Sequence, residues 1–434
     1  MLKRGKLWPG LVLAALSATV VSPPAQAAGF IIFEQGSKAM GMAAAFTAQA
    51  DDPSAMFHNV AGIAFQRERD FSLGVTLVSL GDSEFEGDNP FPGESARAEQ
   101  AGNLVTPPHA YYIQPVGQRM TLGLGVMSPF GLVTEWDKPE SFVGRNLSTR
   151  AELISVDINP SIGFQLTPTF GIGFGAVART SKVELDRIVT RVNPFTQSQA
   201  NVADVELESD FDQGYGWNIG ILHKYNNSFS WGLSYRSKVK VEYEGDARFS
   251  QILTGNAQFD AAVARALPFG VDQAIETEIE FPDMASFGVA FALSPNTMLE
   301  LDANWVGWST FQEVAIVFTE NAALQQPPVE QNWDDSMNYR LGFRWNSSPS
   351  TQWRAGYWYD ETPQPEETMG PLLPDANRNG LSLGYGLTTG SGHRYDLALM
   401  YVDFDERSTN GTNLEGFDGT YKTTALLLGL TATF

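Results

Sequence analysis

The chain has 434 residues, with 50 acidic and 28 basic side chains and a formal net charge of -22. This acidity argues against a nucleic-acid partner, because phosphates require a basic binding face. The chain contains no cysteine, which excludes a disulfide framework and a thiolate metal site.

The first residues have the pattern of a secretory signal. Three cations, Lys3, Arg4 and Lys6, precede an apolar stretch over residues 11–21 and an Ala-Gln-Ala sequence that ends at Ala27. This order predicts a signal peptide over residues 1–27 that is cleaved near Ala27. A membrane-anchoring helix is the alternative, but the apolar stretch is shorter than the ~20 residues that a spanning helix needs.

Residues 28–69 show no regular alternation of polar and apolar side chains. The part from Gln35 to Gln49 is rich in Ala, Gly and Met, as in a short helix, and Asp51-Asp52-Pro53 ends it. If the rest of the chain forms a wide barrel, its lumen must be blocked to prevent leakage. We therefore predict a plug, or hatch, over residues 28–69, with a simple periplasmic tail as the alternative.

From residue 70 onward the chain shows the period-2 alternation of β-strands. In the last strand Leu426, Leu428 and Leu430 share one face, while Thr431 and Thr433 lie on the other. An apolar outer face opposite a small polar inner face is typical of a transmembrane barrel. Fourteen strands are predicted, at 70–80, 108–114, 119–127, 150–166, 169–181, 213–225, 229–243, 281–294, 297–308, 332–346, 351–361, 379–388, 392–403 and 420–434.

The connections alternate between six short turns and seven long loops, as expected when turns face the periplasm and loops face outward. The long loops are predicted at 81–107, 128–149, 182–212, 244–280, 309–331, 362–378 and 404–419. The predicted fold is all-β: a fourteen-stranded antiparallel transmembrane β-barrel over residues 70–434, plugged by an N-terminal hatch, in the bacterial outer membrane. In strand 229–243, charged Arg236, Lys238 and Lys240 share one parity, which we assign to the lumen because a cation facing lipid costs ~2–4 kcal/mol.

Several short motifs occur in the order found in one family. They are Gly41-Met-Ala-Ala-Ala-Phe-Thr-Ala-Gln-Ala-Asp-Asp52, Asn59-Val-Ala-Gly62, Ser128-Pro-Phe-Gly-Leu-Val-Thr-Glu-Trp136, Val143-Gly-Arg145, Phe281-Pro-Asp283, Trp308-Ser-Thr-Phe311, Trp333-Asp-Asp-Ser-Met-Asn-Tyr-Arg340, Arg354-Ala-Gly-Tyr357 and Leu373-Pro-Asp375. In these motifs the mature chain resembles the FadL-type transporters of long-chain fatty acids and aromatic hydrocarbons in the outer membrane. Val60 departs from the family pattern, since it replaces the proline of an Asn-Pro-Ala sequence.

The resemblance implies passive, gated transport of long-chain fatty acids or similar hydrophobic molecules. Uptake of aromatic or aliphatic hydrocarbons is the alternative within the family, and a non-specific porin is a further one. It also implies that ligand binding shifts the hatch and that a kink in the third strand opens a lateral path. Gly123 and Gly125 would permit this kink, and residues 28–33 would couple occupancy to gating. The hatch and gate residues are Phe30, Phe33 and Asn59.

Two groups of side chains are candidates for ligand contact. The connection after the third strand is unusually apolar for a loop exposed to water, which predicts a capture surface or packing onto the barrel rim; its residues are Phe130, Leu132, Val133, Trp136 and Phe142. A carboxylate head group favours guanidinium partners, unless these arginines only stabilise the wall through ion pairs. The candidates are Arg145, Arg150, Arg236, Arg340, Arg344 and Arg354.

Other function classes find less support. The four histidines stand in no nucleophile or metal-ligand motif, so we predict neither an enzyme nor a cofactor or metal site. An adhesive or structural barrel would show no saturable uptake. The expected partners are a hydrophobic small-molecule ligand and the lipid and lipopolysaccharide of the outer membrane, and we expect a monomer.

Overall fold

The computed structural model describes residues 29–88, 95–102 and 104–434. The predicted signal peptide and residue 28 lie outside these residues. Within the described ranges no helix is long and apolar enough to cross a membrane.

The wall of the molecule is one closed antiparallel barrel of fourteen strands, which confirms the predicted fold class. The first and last strands close it, with partners that run from Ser72 and Thr433 to Gly87 and Gly419. The strands are β1 Asp70–Asp88; β2 Ser95–Glu99, Leu104–Val105 and Pro108–Val116; β3 Met120–Met127 and Gly131–Glu135; β4 Arg150–Gln165; β5 Phe170–Asn193; β6 Ser198–Ser209 and Asp212–Asn226; β7 Phe229–Arg236 and Val239–Gln251; β8 Gln273–Phe281 and Met284–Ser294; β9 Thr297–Val306; β10 Ser336–Ser348; β11 Thr351–Asp360; β12 Arg378–Thr388; β13 Arg394–Phe404; and β14 Gly419–Thr433.

Short elements occupy the N-terminal segment and the outer loops. The α-helices are α1 Ser37–Met40, α2 Ala55–His58 and α3 Ala257–Ala266, and the 3-10 helices are Val60–Phe65, Trp308–Thr310, Ala322–Leu324 and Glu366–Thr368. Short strands are Glu313–Val314 paired with Val329–Glu330, Val317–Phe318 against β8, and Arg407–Ser408 against β14.

The tight turns lie where the sequence predicts them, but the outer ends of several strands are longer. β5 continues to Asn193 and β6 starts at Ser198, so the predicted loop 182–212 is mostly a long hairpin. The predicted loop 128–149 also contains a wall segment, Gly131–Glu135, which pairs with β4. The alternation of apolar and polar side chains cannot reveal such extensions, because the outward face of a strand is no longer apolar once the strand has left the bilayer.

The membrane-facing surface carries a belt of exposed apolar side chains, as a barrel in lipid requires. Its members include Leu122, Leu124, Phe174, Leu233, Phe287, Leu301, Leu341, Phe343, Leu381, Leu383, Leu399 and Leu426. The inner face is polar or glycine-rich and packs against the N-terminal segment, residues 29–69, which is buried over most of its length.

Strand β7 corrects one assignment of faces. It is interrupted at residues 237–238, and its pleat is reversed beyond that point: Val239, Val241 and Tyr243 are buried, whereas Lys238 and Lys240 are exposed. The prediction that these two lysines face the lumen is therefore wrong. Their ion pairs with Glu280 and Glu278 lie on the outer surface.

Candidate functional site

An apolar cavity of about 110 Å³ lies inside the outer half of the barrel. The outer parts of β3 to β8 and two outer loops form its walls, and Phe30 of the N-terminal segment also borders it. Its apolar lining consists of Phe30, Leu132, Ala151, Leu153, Val183, Leu185, Leu207, Ile275, Ile279, Phe311, Val314, Ile316, Leu372 and Leu373. The charged groups in its lining are Glu152, Glu184 and Glu244. Such an enclosure suits an apolar ligand group.

Phe30 separates this cavity from the interior of the barrel. Its ring lies 4.6 Å from Trp308, 5.4 Å from Phe311 and 6.1 Å from Phe130, measured between ring centroids. Gly29, just before it, has φ +55, and a Cβ there would lie 2.2 Å from the Trp308 ring. Only glycine fits this conformation and this space.

The Gly29 amide is held by the carboxylate of Asp375 in the loop between β11 and β12. Gly29 N–H donates to Asp375 Oδ2 at 3.1 Å, and the Thr362 hydroxyl donates to the same oxygen at 2.5 Å. Burial raises the pKa of Asp375 to about 6, although Arg378 and these hydrogen bonds act in the opposite direction. The start of the N-terminal segment is therefore tied to an outer loop by a titratable group.

The third strand is interrupted where the N-terminal segment meets the wall. β3 stops at Met127 and resumes at Gly131. In the gap, Ile32 N–H donates to the Pro129 carbonyl at 2.9 Å, and Gly131 N–H donates to the Phe30 carbonyl at 2.9 Å. The stretch Met120–Met127, which contains both glycines expected to permit a kink, is regular strand. The N-terminal segment thus supplies main-chain partners where the wall strand is broken.

A buried charge cluster lies behind the rings of Phe130 and Phe281, which both contact Phe30 at the edge of the apolar cavity. Arg179 donates two hydrogen bonds to the Asp157 carboxylate, at 2.7 and 2.9 Å, and its guanidinium lies 4.4 Å from the Phe130 ring and 4.5 Å from the Phe281 ring. Arg236 shares Asp157 at 3.6 Å, and its Nη1 has no hydrogen-bond partner among the described residues. Two guanidinium groups thus share one carboxylate, which leaves one positive charge in excess.

Carboxylates of the wall also hold the N-terminal segment by its backbone. Asp302 accepts hydrogen bonds from the amides of Phe46 and Thr47, both at 2.9 Å, and Glu300 accepts one from Ala48 at 2.5 Å. Asn59 adds a bridge, because its side-chain amide donates to the carbonyls of Thr47 and of Ile221 in β6. These contacts fix the middle of the segment against β9 and β6.

The periplasmic end has polar contacts instead. Asp51 is 2.8 Å from both Lys38 and Arg344. Burial would raise the pKa of Asp51, but Lys38 and Arg344 outweigh it and hold the pKa well below its usual range. A polar cavity of about 620 Å³ adjoins this group and extends to the inner ends of β10 to β14.

The predicted capture residues are not exposed. Phe130, Leu132, Val133, Trp136 and Phe142 are all buried. Phe130 packs on Phe30, and Trp136 stacks on Phe142 at 4.5 Å under the outer loops. The expectation of an exposed apolar loop is therefore wrong, because this connection folds inward and continues the wall. Leu132 is the member of the set that lines the apolar cavity.

The six predicted head-group arginines are spread along the barrel. Arg145 and Arg150 lie at the outer end, where Arg145 donates to Asn201 and Arg150 pairs with Glu152 and Glu184. Arg344 and Arg354 border the inner end, where they pair with Asp51 and Asp396. Arg236 and Arg340 lie between them.

Arg340 contacts the N-terminal segment. It donates to the Ala43 carbonyl at 2.8 Å, and its guanidinium lies 4.2 Å from the Phe33 ring. Of the six, Arg236 is the one that shares Asp157 with Arg179, the arginine that lies against the Phe130 and Phe281 rings.

Sequence reasoning missed Arg179, Asp157 and the buried pair of Arg378 with Asp360 at 2.7 Å. Parity within β5 would have placed Arg179 inward, since it shares a face with Gly171, Gly173 and Gly175 while Phe174 is exposed. No sequence pattern indicates that it shares Asp157 with Arg236, because those three residues come from β4, β5 and β7.

Comparisons with known proteins cover nearly the whole chain. Residues 18–434 match the family described as outer membrane protein transport protein (OMPP1/FadL/TodX). The long-chain fatty acid transport protein of Escherichia coli O6:H1 is 24% identical over 413 residues, which are 89% of this chain and 90% of the relative.

Two solved structures share the fold. A Pseudomonas aeruginosa FadL homologue aligns with a TM-score of 0.81 and 20% identity, over 94% of this chain and 99% of its own. The toluene transporter TodX of Pseudomonas putida aligns with a TM-score of 0.70 and 15% identity, over 92% of this chain and 97% of its own.

Proposed function

The chain belongs to the OMPP1/FadL/TodX family of outer membrane transport proteins, and from this premise we propose that it carries long-chain fatty acids or similar hydrophobic molecules passively across the outer membrane. One observation carries the proposal. An apolar cavity and a buried cluster with an excess positive charge lie on opposite sides of Phe30, whose ring contacts the Phe130 and Phe281 rings that enclose Arg179.

The two compartments suit the two parts of an amphiphile. Burial of each tail CH₂ contributes ~0.8 kcal/mol, which favours the apolar cavity over water. A carboxylate reaching the cluster would accept from Arg236, whose Nη1 lies 3.6 Å from Asp157 and makes no hydrogen bond among the described residues. Charge-assisted hydrogen bonds of this kind are roughly twice as strong as neutral ones. The two sites become continuous only when Phe30 moves.

This geometry supports a gating role for the N-terminal segment. The segment fills the barrel over residues 29–69, and we propose that it is a hatch with Phe30, Phe33 and Asn59 as gate residues. A ligand that displaces Phe30 also breaks the contacts of residues 30–32 with the gap in β3. We propose that this gap is then the lateral path that the family resemblance implies.

We propose that the concentration gradient drives transport, since the sequence contains no nucleotide-binding or ion-coupling motif. We propose a monomer in the outer membrane, surrounded by lipid and lipopolysaccharide, with transport and not catalysis as its role. The E. coli relative is named a long-chain fatty acid transport protein, which supports the same substrate class.

Uptake measurements test the proposal. Cells that lack their own transporters would express the protein at matched surface levels and receive labelled oleate or labelled toluene. We expect saturable oleate uptake, reduced at least tenfold by Arg236→Gln. The control Arg248→Gln removes an exposed arginine that pairs with Glu206 and Asp272, and we expect it to retain wild-type oleate uptake. Absence of saturable uptake of either compound contradicts the proposal.

Neutral hydrocarbons are the second candidate, and a specific observation favours them. The charged groups that line the apolar cavity are the carboxylates Glu152, Glu184 and Glu244. Arg150 pairs with the first two, and the described lining contains no cation that could bind an anionic ligand. A P. putida relative of the same fold is a toluene transporter. Toluene uptake without oleate uptake, unchanged by Arg236→Gln, would assign the protein to this branch and leave Arg236 a structural role.

A further inference from the structure

A second irregularity of the wall lies between β6 and β7. The two strands form a regular ladder up to the pair of Asn218 and Arg236, and another from the pair of Ser209 and Gly245. Between these ladders, residues 212–216 of β6 and 238–243 of β7 are all described but form no ladder pairs with each other, although β6 pairs here with β5 and β7 pairs with β8. We call this stretch the β6–β7 seam.

The ladder fails because the two pleats are out of phase. β7 reverses its faces at residues 237–238, whereas β6 reverses only at its break at residues 210–211. In the seam, inward-facing Gly214 is therefore opposite outward-facing Lys240. Residues directly opposite in an antiparallel ladder point to the same face, so this arrangement cannot pair regularly.

Hydrogen bonds join the strands at both ends of the seam. Ser237 N–H donates to the Trp217 carbonyl and Asp210 N–H donates to the Glu244 carbonyl, both at 2.9 Å. Glu244 N–H also donates to the Asp212 carboxylate, at 3.1 Å.

Between these ends, close packing replaces the ladder: a Cβ at Gly214 would lie 2.3 Å from the Lys240 carbonyl oxygen. Val239 and Val241 pack against the two glycines of β6: a Cβ at Gly216 would lie 2.7 Å from Val239 Cγ2, and one at Gly214 would lie 2.7 Å from Val239 Cγ1 and 2.9 Å from Val241 Cγ2. Contacts of this kind can be replaced by those of a hydrophobic ligand, whereas a strand ladder cannot.

Cavities lie on both sides of this part of the wall. The apolar cavity is inside, and a groove of about 1220 Å³ lies between the outer parts of β6, β7 and β8 and residues 310–317 of the loop between β9 and β10. Tyr243 and Ile279 line both. The outward ring pair of Trp217 and Tyr235, at 5.3 Å, lies just below the seam, and charged outward faces lie above it. Such rings mark the membrane interface, so the seam is at the level of the outer head groups.

We propose that the β6–β7 seam is a lateral port through which uncharged hydrophobic molecules pass between the outer leaflet and the apolar cavity. The port is separate from the gap in β3, because β4 and β5 lie between them. Its ligands are uncharged because seven carboxylates line the outer groove against the single cation Lys240, and this excess of negative charge repels an anion. This inference rests on the proposed transport function.

The first test does not depend on transport. The chain has no cysteine, so a single introduced thiol is the sole target of a maleimide. Val241→Cys at the seam and Leu222→Cys in the regular ladder below it both replace fully buried, inward-facing residues. With a lipid-soluble maleimide in outer-membrane vesicles, we expect Val241→Cys to react at least tenfold faster than Leu222→Cys. Equal rates would overturn the port even if the protein transports its ligand.

The second test locks the seam. Gly216→Cys is combined with Val239→Cys for this purpose. A Cβ at Gly216 would lie 2.7 Å from Val239 Cγ2, which is one bond from Val239 Cβ, and Cβ atoms ~3.5–4.5 Å apart suit a disulfide. We expect oxidation to reduce toluene uptake several-fold and a reductant to restore it. Uptake that is equal in the fully oxidised and reduced states would overturn the port. If the unmodified protein takes up neither toluene nor oleate, the transport proposal fails, and the labelling rates alone decide whether the seam opens.

Discussion

The main-chain N–H of Ile32 donates a hydrogen bond of 2.9 Å to the carbonyl of Pro129. This contact joins the N-terminal segment to the gap in β3, one residue from the bridge between Ile31 and Phe130. Because Phe30 lines the apolar cavity on the same short stretch, occupancy of the cavity and closure of the wall depend on the same residues. This proximity supports the proposed coupling between ligand binding and gating.

Phe30→Ala should weaken this coupling. Removal of a buried Phe side chain costs about 3–5 kcal/mol, and we expect this loss to weaken the packing of residues 29–32 against the barrel. We expect oleate or toluene uptake at low concentration to rise several-fold, measured at matched surface levels. Phe46→Ala removes another buried ring of the segment, which packs near His58 and Lys38 and does not line the cavity, and serves as control. Equal effects of the two variants would count against a gate role for Phe30.

Asp302→Ala should loosen the middle of the N-terminal segment. It leaves the buried amides of Phe46 and Thr47 without acceptors, at about 1–3 kcal/mol each. Hydrogen exchange of these two amides is expected to accelerate roughly tenfold or more, since 1.4 kcal/mol corresponds to a factor of ten. Glu278→Ala, on the exposed outer face of β8, should leave their exchange unchanged. Unaltered exchange in Asp302→Ala would show that these hydrogen bonds do not hold the segment.

Asp51→Asn should destabilise the periplasmic end of the segment. The change leaves Lys38 and Arg344 without their shared carboxylate, which is partly exposed. We expect the free energy that holds this end of the segment in place to fall by about 1–2 kcal/mol, a value between those for exposed and for buried ion pairs. Planar-bilayer recordings should then show more frequent brief openings than the wild type. Asp272→Asn breaks an exposed ion pair with Arg248 and should behave as wild type; openings at wild-type frequency in both variants would refute the prediction.

Asp375 should make docking of the N-terminus depend on pH. Its pKa of about 6 in the folded protein lies above the ordinary value of 3.8, so the folded state binds the proton more tightly. The resulting stabilisation is complete below pH ~4 and is lost as the pH rises through about 6, with a magnitude on the order of 2–3 kcal/mol. Protease resistance of the N-terminal segment should follow this curve.

Asp375→Asn should flatten the curve, because an amide does not titrate in this range. Asp405→Asn, at an exposed loop position, should retain the wild-type pH profile. If Asp375→Asn keeps the same dependence between pH 4 and 7, another group is responsible.

The sequence alone determined the number of strands, the order of short turns and long loops, and the outward parity of most membrane-spanning segments. These properties are local, since a strand in lipid must alternate with period two along its own length. The strand ends were less predictable, because the alternation changes where a strand leaves the lipid.

The tertiary structure decided which polar groups meet and which faces are reversed. Arg179, Arg236 and Asp157 lie on three strands, so their shared charge depends on barrel closure and register. Lys238 and Lys240 face outward because β7 reverses its pleat at residues 237–238, and Phe130 is buried because the β3 gap meets the N-terminal segment. Partners distant in sequence leave no periodic signal, so only the folded barrel specifies the cavity, the charge cluster and the seam.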